Sequence, residues 1–165
     1  MDIGTTFKLI IPLESEAVEA EPEVLHEPLP NLSKNEHDSP MHFQVLIVDD
    51  NRLNAIVAQS MCKQLGYQST YVNDGFKAIK DLQNHSYDLI LMDKHMPGMD
   101  GIETCQKIRQ ELKISTPILG YTADMSKDTR QEYLSVGAQD VVYKPIDKDE
   151  FAMKVNHIRT SEEAS

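Results

Sequence analysis

Three acids, a hydroxyl and a lysine in this sequence are of the types that phosphoryl chemistry uses. Carboxylates brought together in a partly desolvated cleft repel each other, and the repulsion raises their pKa values unless a cation lies among them. So few carboxylate oxygens suit Mg²⁺, or Mn²⁺, with water completing an octahedron. We therefore predict a site in which a metal ion and the lysine neutralise phosphoryl oxygens, the hydroxyl donates to them, and one carboxylate attacks in line. The candidate residues are Asp49, Asp50, Asp93, Thr122 and Lys144.

The elements that must position these residues alternate between short apolar strands and helices from Phe43 onward. The predicted strands cover residues 44–50, 67–72, 87–92, 117–121 and 140–143. The predicted helices cover 52–66, with Gly66 at its end, then 75–85, 102–113, a segment ending near Val136 and Gly137, and 149–158. This alternation predicts a doubly wound α/β sandwich of three layers around a five-stranded parallel sheet. Ligands of such sheets bind outside the carboxyl ends of the strands, at the switch in strand order.

Each candidate residue lies at or directly after the end of a predicted strand, so the fold would bring all of them to one edge. Asp93 is the predicted nucleophile because it follows the middle strand and precedes KHMPGMDG, a loop of turn formers that can present a backbone carbonyl to the metal. Asp49 and Asp50 would hold the metal, directly or through water. Each residue also has a purely structural interpretation, in which Asp50 and Thr122 cap helices and Lys144 is a surface charge.

Composition argues against several classes of function. The chain has 165 residues, enough for one domain with a sizeable core. Its formal net charge of -11 repels nucleic acid and anionic lipid. Cys62 and Cys105 have no disulfide-framework or zinc-ligand spacing. No apolar run approaches the ~20 residues of a membrane span, and the N-terminus has an acid where a secretion signal carries basic residues, so we expect a cytoplasmic location.

The acidic residues concentrate at the N-terminus. Residues 1–40 contain nine acids and two lysines, a net charge of -7 out of the total of -11. We predict a strand within residues 1–13, a disordered and self-repelling linker in 14–42, a folded domain in 43–159 and a disordered tail in 160–165.

Four segments of the folded part resemble the signature blocks of the two-component receiver domain: VLIVDDN, LILMDKHMPGMDG, GYTAD and VVYKP. The resemblance implies a CheY-like, flavodoxin-like (βα)5 fold in which Asp93 takes a phosphoryl group from a phosphohistidine and forms an acyl phosphate. It implies that Asp49, Asp50 and the backbone carbonyl of His95 ligate Mg²⁺ together with Asp93. Thr122 and Lys144 would hold phosphoryl oxygens. Met96-Pro97, Gly101 and a cis bond at Lys144-Pro145 match other positions of the family.

The resemblance also assigns positions that tune and report the phosphorylation. His95, Ala123 and Asp124 occupy places where the family varies the lifetime of the acyl phosphate, so the domain would promote its own phosphorylation and dephosphorylation. Receivers usually signal through a threonine, here Thr122, and an aromatic residue three positions before the lysine. In this chain that position is occupied by Val141. Tyr143 occupies a different pleat and is not an obvious substitute. The aromatic side chain that would flip is therefore missing from position 141.

The N-terminal segment DIGTTFKLIIPLE resembles the last strand of the ATP-binding domain of histidine kinases. Hybrid sensor kinases have the end of a kinase domain, an acidic linker and a receiver in this order. The chain is most similar to the C-terminal part of autoinducer-sensing kinases of the LuxQ type. The implied partners are the phosphohistidine domain of the kinase and a histidine phosphotransfer protein, with the parent protein anchored in the inner membrane. We expect the first helix to dock the partner through Ala55, Ile56 and Ala58, although these residues could instead pack on the sheet.

Three alternatives remain open at this stage. A receiver-like docking module without phosphorylation would have the same fold. A haloacid-dehalogenase-type phosphatase would also use an aspartyl nucleophile, but it needs a second acid two residues later, where this chain has His95. A flavodoxin would need a hydroxyl- and glycine-rich loop after the first strand, whereas the DDNR sequence there would repel a phosphate unless a metal intervened.

Overall fold

A computed structural model of the chain describes the backbone of residues 43–163 and the side chains of residues 43–161. The strand expected in 1–13 and the acidic linker expected in 14–42 lie outside the described residues. No helix in the described part of the chain is long and apolar enough to cross a membrane.

Five parallel strands form one sheet in the order β2-β1-β3-β4-β5, which confirms the predicted fold class. The strands are β1 (Gln44–Val48), β2 (Gln68–Val72), β3 (Leu89–Asp93), β4 (Ile118–Thr122) and β5 (Asp140–Tyr143). The helices that alternate with them are α1 (Arg52–Gln64), α2 (Gly75–Leu82), α3 (Gly101–Gln110), α4 (Lys127–Ser135) and α5 (Lys148–Glu163). The strand order switches between β1 and β3, so the ligand crevice of such a sheet lies at the carboxyl ends of these two strands.

Helices cover both faces of the sheet and bury its central strands. One apolar cluster lies between the sheet and helices α1 and α5, and a second lies between the sheet and α2, α3 and α4. Every residue of β3 and of β4 is buried. Strands that are buried on both faces have continuous apolar sequences, which is why LILM precedes Asp93 with no polar residue between. This packing fixes the backbone from which Asp93 projects.

Two of the three predicted docking residues are part of the core, so that prediction is wrong for them. Ala55 and Ala58 are fully buried in the cluster under α1, together with Cys62. The helical period places these positions on one stripe, and their small side chains allow α1 to lie close to the sheet. Ile56 is 48% exposed and remains a candidate for docking.

The ends of the helices also decide two of the structural interpretations raised above. Asn51 caps α1 by accepting from the amide of Leu53, and Ser126 caps α4 by accepting from the amide of Thr129. Neither Asp50 nor Thr122 is therefore the cap of a helix.

Helix α1 ends at Gln64 with Leu65 as its C-cap, so the predicted end at Gly66 is two residues too late, and Gly66 is the residue that turns the chain away from the helix. It has a positive φ of 78°, and its amide and that of Tyr67 donate to carbonyls of the last turn.

Helix α5 continues beyond the predicted end at Ile158 and includes residues 160–163, which we expected to lie in a disordered tail. Neither glycine nor proline occurs between Ile158 and Glu163 to stop the helix. The hydroxyls of Thr160 and Ser161 donate to carbonyls one turn earlier, which satisfies these polar groups within the helix.

Gly101 allows the first turn of α3 to touch the backbone of the predicted nucleophile. A β-carbon on Gly101 would overlap the carbonyl oxygen of Asp93. The amide of Gly101 also donates to the carbonyl of Lys94 over 2.9 Å. Only a residue without a side chain fits this approach, so Gly101 helps to set the position of Asp93.

We predict that Gly101→Ala lowers the free energy of unfolding by about 1–3 kcal/mol, because the strand end and the helix must move apart. Urea denaturation measures the change. Lys127→Ala is a matched control at the exposed first position of α4 and should change stability by less than about 0.5 kcal/mol. Equal stability of the two variants would contradict the tight approach at Gly101.

Candidate functional site

Two buried carboxylates and one lysine form the centre of the site. Asp49 follows β1 and is fully buried, and Asp93 ends β3 and is 5% exposed. Lys144 follows β5, and its Nζ donates to Asp49 Oδ2 and to Asp93 Oδ1, each over 2.7 Å. The Lys144 side chain is itself largely buried, so the interpretation of this lysine as a surface charge is wrong.

The three acids lie close enough together to share a metal ion. Asp49, Asp50 and Asp93 each offer a carboxylate oxygen, and these oxygens lie within 4.8 Å of one another. Such a set of hard oxygen ligands, with the exposed Asp50 open to solvent, fits Mg²⁺ or Mn²⁺ with water as further ligand. His95 is exposed in the loop between β3 and α3, and the role of its carbonyl as a ligand remains a prediction.

The N-terminus of α1 holds Asp49 in place. Asp49 Oδ1 accepts a hydrogen bond of 2.8 Å from the Asn51 amide and one of 3.3 Å from Asn54 Nδ2. Sequence reasoning did not identify Asn54, although its position one turn into the helix that follows the acids could have indicated it. These bonds leave Asp49 Oδ2 for Lys144.

The electrostatics of Asp93 depend on its lysine. Burial raises the pKa of the Asp93 carboxyl above its ordinary value of 3.8, Lys144 opposes that shift, and the charges of Asp49 and Asp50 add to it. The folded protein thus keeps an acid where its ionised form is disfavoured. Groups with this property concentrate at functional sites.

Thr122 and the loop after it lie beside this centre. Thr122 is fully buried, and its hydroxyl oxygen accepts a hydrogen bond of 3.1 Å from the Asp124 amide. Ala123 and Asp124, two of the predicted tuning positions, are exposed. Hydrogen bonds from the Thr129 hydroxyl and from Ser126 lower the pKa of Asp124 to about 2, so this side chain is anionic at neutral pH.

Tyr121 is a residue of the site that sequence reasoning missed. Lys144 Nζ lies 4.6 Å from the centroid of the Tyr121 ring, a cation–π contact. Burial, with the negative charges of Asp49 and Asp93, raises the pKa of Tyr121 to about 12, so the ring stays neutral. An aromatic residue directly before Thr122 in GYTAD was the available signal. The bond between Lys144 and Pro145 is cis, as the family resemblance implied.

Comparison with protein families gives a match to the response regulator receiver domain over residues 45–156. The chain is 38% identical over 156 residues to the autoinducer 2 sensor kinase/phosphatase LuxQ of Vibrio vulnificus, covering 94% of this chain and 18% of that protein. It is 34% identical to the sensor histidine kinase RcsC of Salmonella typhimurium, covering 81% of this chain and 14% of that protein. The chain therefore spans less than a fifth of the length of these curated relatives.

Solved structures give the same fold. The chemotaxis protein CheY4 of Vibrio cholerae superposes with a TM-score of 0.65 at 28% identity, covering 70% of this chain and 98% of that protein. A signal receiver domain of a histidine kinase from Syntrophus aciditrophicus superposes with a TM-score of 0.65 at 26% identity, covering 73% of this chain and 92% of that domain.

We predict that Asp93→Asn stabilises the metal-free protein at neutral pH. Because the pKa of Asp93 is raised in the folded state, wild-type stability falls as pH rises through that pKa, and the asparagine variant does not show this fall. The difference should vanish as pH drops below the ordinary value of 3.8. Thermal unfolding in a chelating buffer across this pH range measures it.

Asp149→Asn is the control for this experiment, since Asp149 is an exposed acid on α5. It should give no gain at neutral pH. A loss of stability in Asp93→Asn at neutral pH would contradict the account, because it would show that attraction to Lys144 outweighs burial.

Proposed function

Since this chain belongs to the response regulator receiver domain family, we propose that it is the phosphoacceptor of a two-component phosphorelay, with Asp93 as the residue that carries the phosphoryl group. The observation that supports this most strongly is the pair of buried carboxylates, Asp49 and Asp93, each 2.7 Å from the ammonium of Lys144. Phosphoryl transfer needs little covalent chemistry from a protein beyond such positioning and charge stabilisation.

In the proposed reaction an Asp93 carboxylate oxygen attacks the phosphorus of a phosphohistidine in line. An O–P bond forms, the N–P bond breaks, and the imidazole leaves with the electron pair of that bond. Lys144 already contacts both the nucleophile and Asp49, so its ammonium can follow the negative charge to a phosphoryl oxygen. The Thr122 hydroxyl, now accepting from Asp124, can rotate to donate to another.

We further propose that Asp49, Asp50 and Asp93 hold Mg²⁺, with Mn²⁺ as a substitute and the His95 carbonyl as an additional ligand. When bound, the ion supplies positive charge that neutralises phosphoryl oxygens. The hydrogen bonds that Asn51 and Asn54 make to Asp49 orient this carboxylate before any ion binds. Asp50 faces solvent, and it can bind the ion without first becoming buried.

We infer that the chain is the C-terminal part of a hybrid sensor kinase. The match to LuxQ extends over 156 residues, more than the 121 residues from 43 to 163, so similarity reaches into the preceding segment. Together with the resemblance of DIGTTFKLIIPLE to the last strand of a kinase ATP-binding domain, this supports a kinase end in 1–13, an acidic linker in 14–42 and a receiver from residue 43. The proposed location is the cytoplasmic side of a membrane-anchored parent protein.

The proposed partners are the phosphohistidine domain of the kinase and a histidine phosphotransfer protein, docking on α1. Three apolar side chains on the solvent side of this helix are exposed: Leu53 by 72%, Ile56 by 48% and Val57 by 45%. Helix α1 begins two residues after Asp50, so this face adjoins the acidic site. An apolar face beside the site suits a helical partner that must bring its histidine to Asp93.

We predict that the wild-type chain, incubated with acetyl phosphate and Mg²⁺, gains one phosphoryl group in intact-mass spectra, and that Asp93→Asn gains none. Asp88→Asn is the matched control, because Asp88 is an exposed acid just before β3, at the opposite edge of the sheet. Equal labelling of Asp93→Asn would place the nucleophile elsewhere. A wild-type chain that binds Mg²⁺ but is never labelled would favour a docking module without phosphorylation.

We also predict that Ile56→Asp slows transfer between the chain and a purified histidine phosphotransfer protein by about tenfold, as expected for an apolar residue central to an interface. Labelling by acetyl phosphate should not change, because Ile56 lies outside the acidic centre. Met153→Asp, at an apolar position on α5 that is 64% exposed, is the control. Equal slowing of both variants would show that α1 is not the docking surface.

A further inference from the structure

Helix α4 contacts the backbone immediately before the predicted nucleophile. Tyr133 is fully buried on α4, and its hydroxyl donates a hydrogen bond of 2.8 Å to the carbonyl oxygen of Met92. Met92 directly precedes Asp93 on β3. Burial raises the pKa of Tyr133, so the hydroxyl stays protonated and can donate.

The strands beside Tyr133 carry small residues that make room for its ring. A β-carbon on Gly120 would lie 2.6 Å from ring atoms Cδ2 and Cε2 of Tyr133 and 2.7 Å from Cγ1 of Val141. Gly120 and Val141 are paired on β4 and β5, and both are buried. The aromatic ring next to β5 is thus supplied by α4, and Val141, the position where an aromatic residue was expected, packs beside it.

A second contact joins α4 to the residue immediately after Asp93. Lys94 Nζ lies 2.7 Å from a carboxylate oxygen of Glu132 and donates to Thr129 Oγ1 over 2.6 Å. The Lys94 side chain is only 17% exposed, so this is a partly buried ion pair. Both residues that flank Asp93 are therefore held by one helix.

We propose that Tyr133 is a positioning residue for the phosphoacceptor, acting through the carbonyl of Met92, and that Lys94 is the second point at which α4 holds the end of β3. The proposal rests on the proposed function of Asp93. Its physical basis is that a buried hydrogen bond fixes a carbonyl in direction as well as in distance. Fixing the peptide between Met92 and Asp93 fixes the direction in which the Asp93 side chain leaves the strand. In-line attack depends on that direction.

The test compares Tyr133→Phe with Tyr87→Phe. Tyr133→Phe keeps the ring that fills the space beside Gly120 and removes only the hydroxyl. Tyr87→Phe is matched to it, because it also removes a tyrosine hydroxyl that donates a hydrogen bond, to Asp81, at the opposite edge of the sheet. Two readouts are taken on each protein, the rate of Asp93 labelling by acetyl phosphate with Mg²⁺ and the NMR resonances of the Asp93 amide and side-chain carboxyl carbon.

We expect Tyr133→Phe to be labelled about two- to tenfold more slowly than wild type, the range that loss of one neutral hydrogen bond corresponds to, and to show shifted Asp93 resonances. Tyr87→Phe should match wild type in both. Labelling of Tyr133→Phe at the wild-type rate, or equal slowing of both variants, would overturn the proposal. If wild type itself is not labelled, the proposed function fails, and the Asp93 resonances alone decide whether Tyr133 positions this residue.

A second pair of variants keeps the test decisive if Tyr133→Phe fails to fold. Glu132→Gln weakens the pair with Lys94, and Glu111→Gln weakens a pair of Glu111 with Lys107 on α3. Both glutamates are at least half exposed, so neither change should prevent folding. Glu132→Gln should slow labelling about twofold and shift the Lys94 amide resonance, and Glu111→Gln should do neither. Indistinguishable results for this pair would overturn the proposal.

Discussion

The ammonium of Lys144 between Asp49 and Asp93 is the interaction on which the rest of the structure depends. Two carboxylates buried at the ends of neighbouring strands repel each other. One positive charge within 2.7 Å of each allows them to remain close together. The other contacts of the centre serve this arrangement, with Asn51 and Asn54 orienting Asp49 and Tyr121 lying against the lysine.

The same arrangement leaves the site able to change. Lys144 divides its charge between an acid that we assign to the metal and an acid that we assign to the phosphoryl group. A ligand that takes over Asp49 would release the lysine toward Asp93. The interactions of Lys144 with the two acids are strong because these groups are largely buried, and charges interact more strongly away from water. The stability lost by burying Asp93 is thus linked to the function that we propose for it.

Much of this could be predicted from the sequence, because the signals were local. Apolar runs ending in Asp49, Asp93 and Thr122 indicated parallel strands, and parallel strands bring their carboxyl ends to one edge. Two of the three predicted docking residues were wrong. Ala55 and Ala58 have the small side chains of a helix stripe that touches the sheet, and the sequence does not show which stripe faces inward.

Contacts between distant segments could not be predicted. Tyr133 and Met92 are 41 positions apart, and no periodicity connects them. Lys94 reads as an ordinary loop lysine until α4 is placed beside it. The replacement of the expected aromatic residue by Val141 on β5 was visible in the sequence, but the packing of Tyr133 from α4 beside it was not. Residues of this kind depend on packing between elements, which a single sequence leaves undetermined.

The most direct test of the central claim is a crystal structure of the chain with Mg²⁺ and beryllofluoride, a mimic of the phosphoryl group. Our account predicts beryllium bonded to an Asp93 carboxylate oxygen, Mg²⁺ on Asp49 and Asp50, and the Lys144 ammonium moved from Asp49 to a fluorine atom. Beryllofluoride bound away from Asp93, or a Lys144 that still bridges Asp49 and Asp93 in the complex, would contradict it.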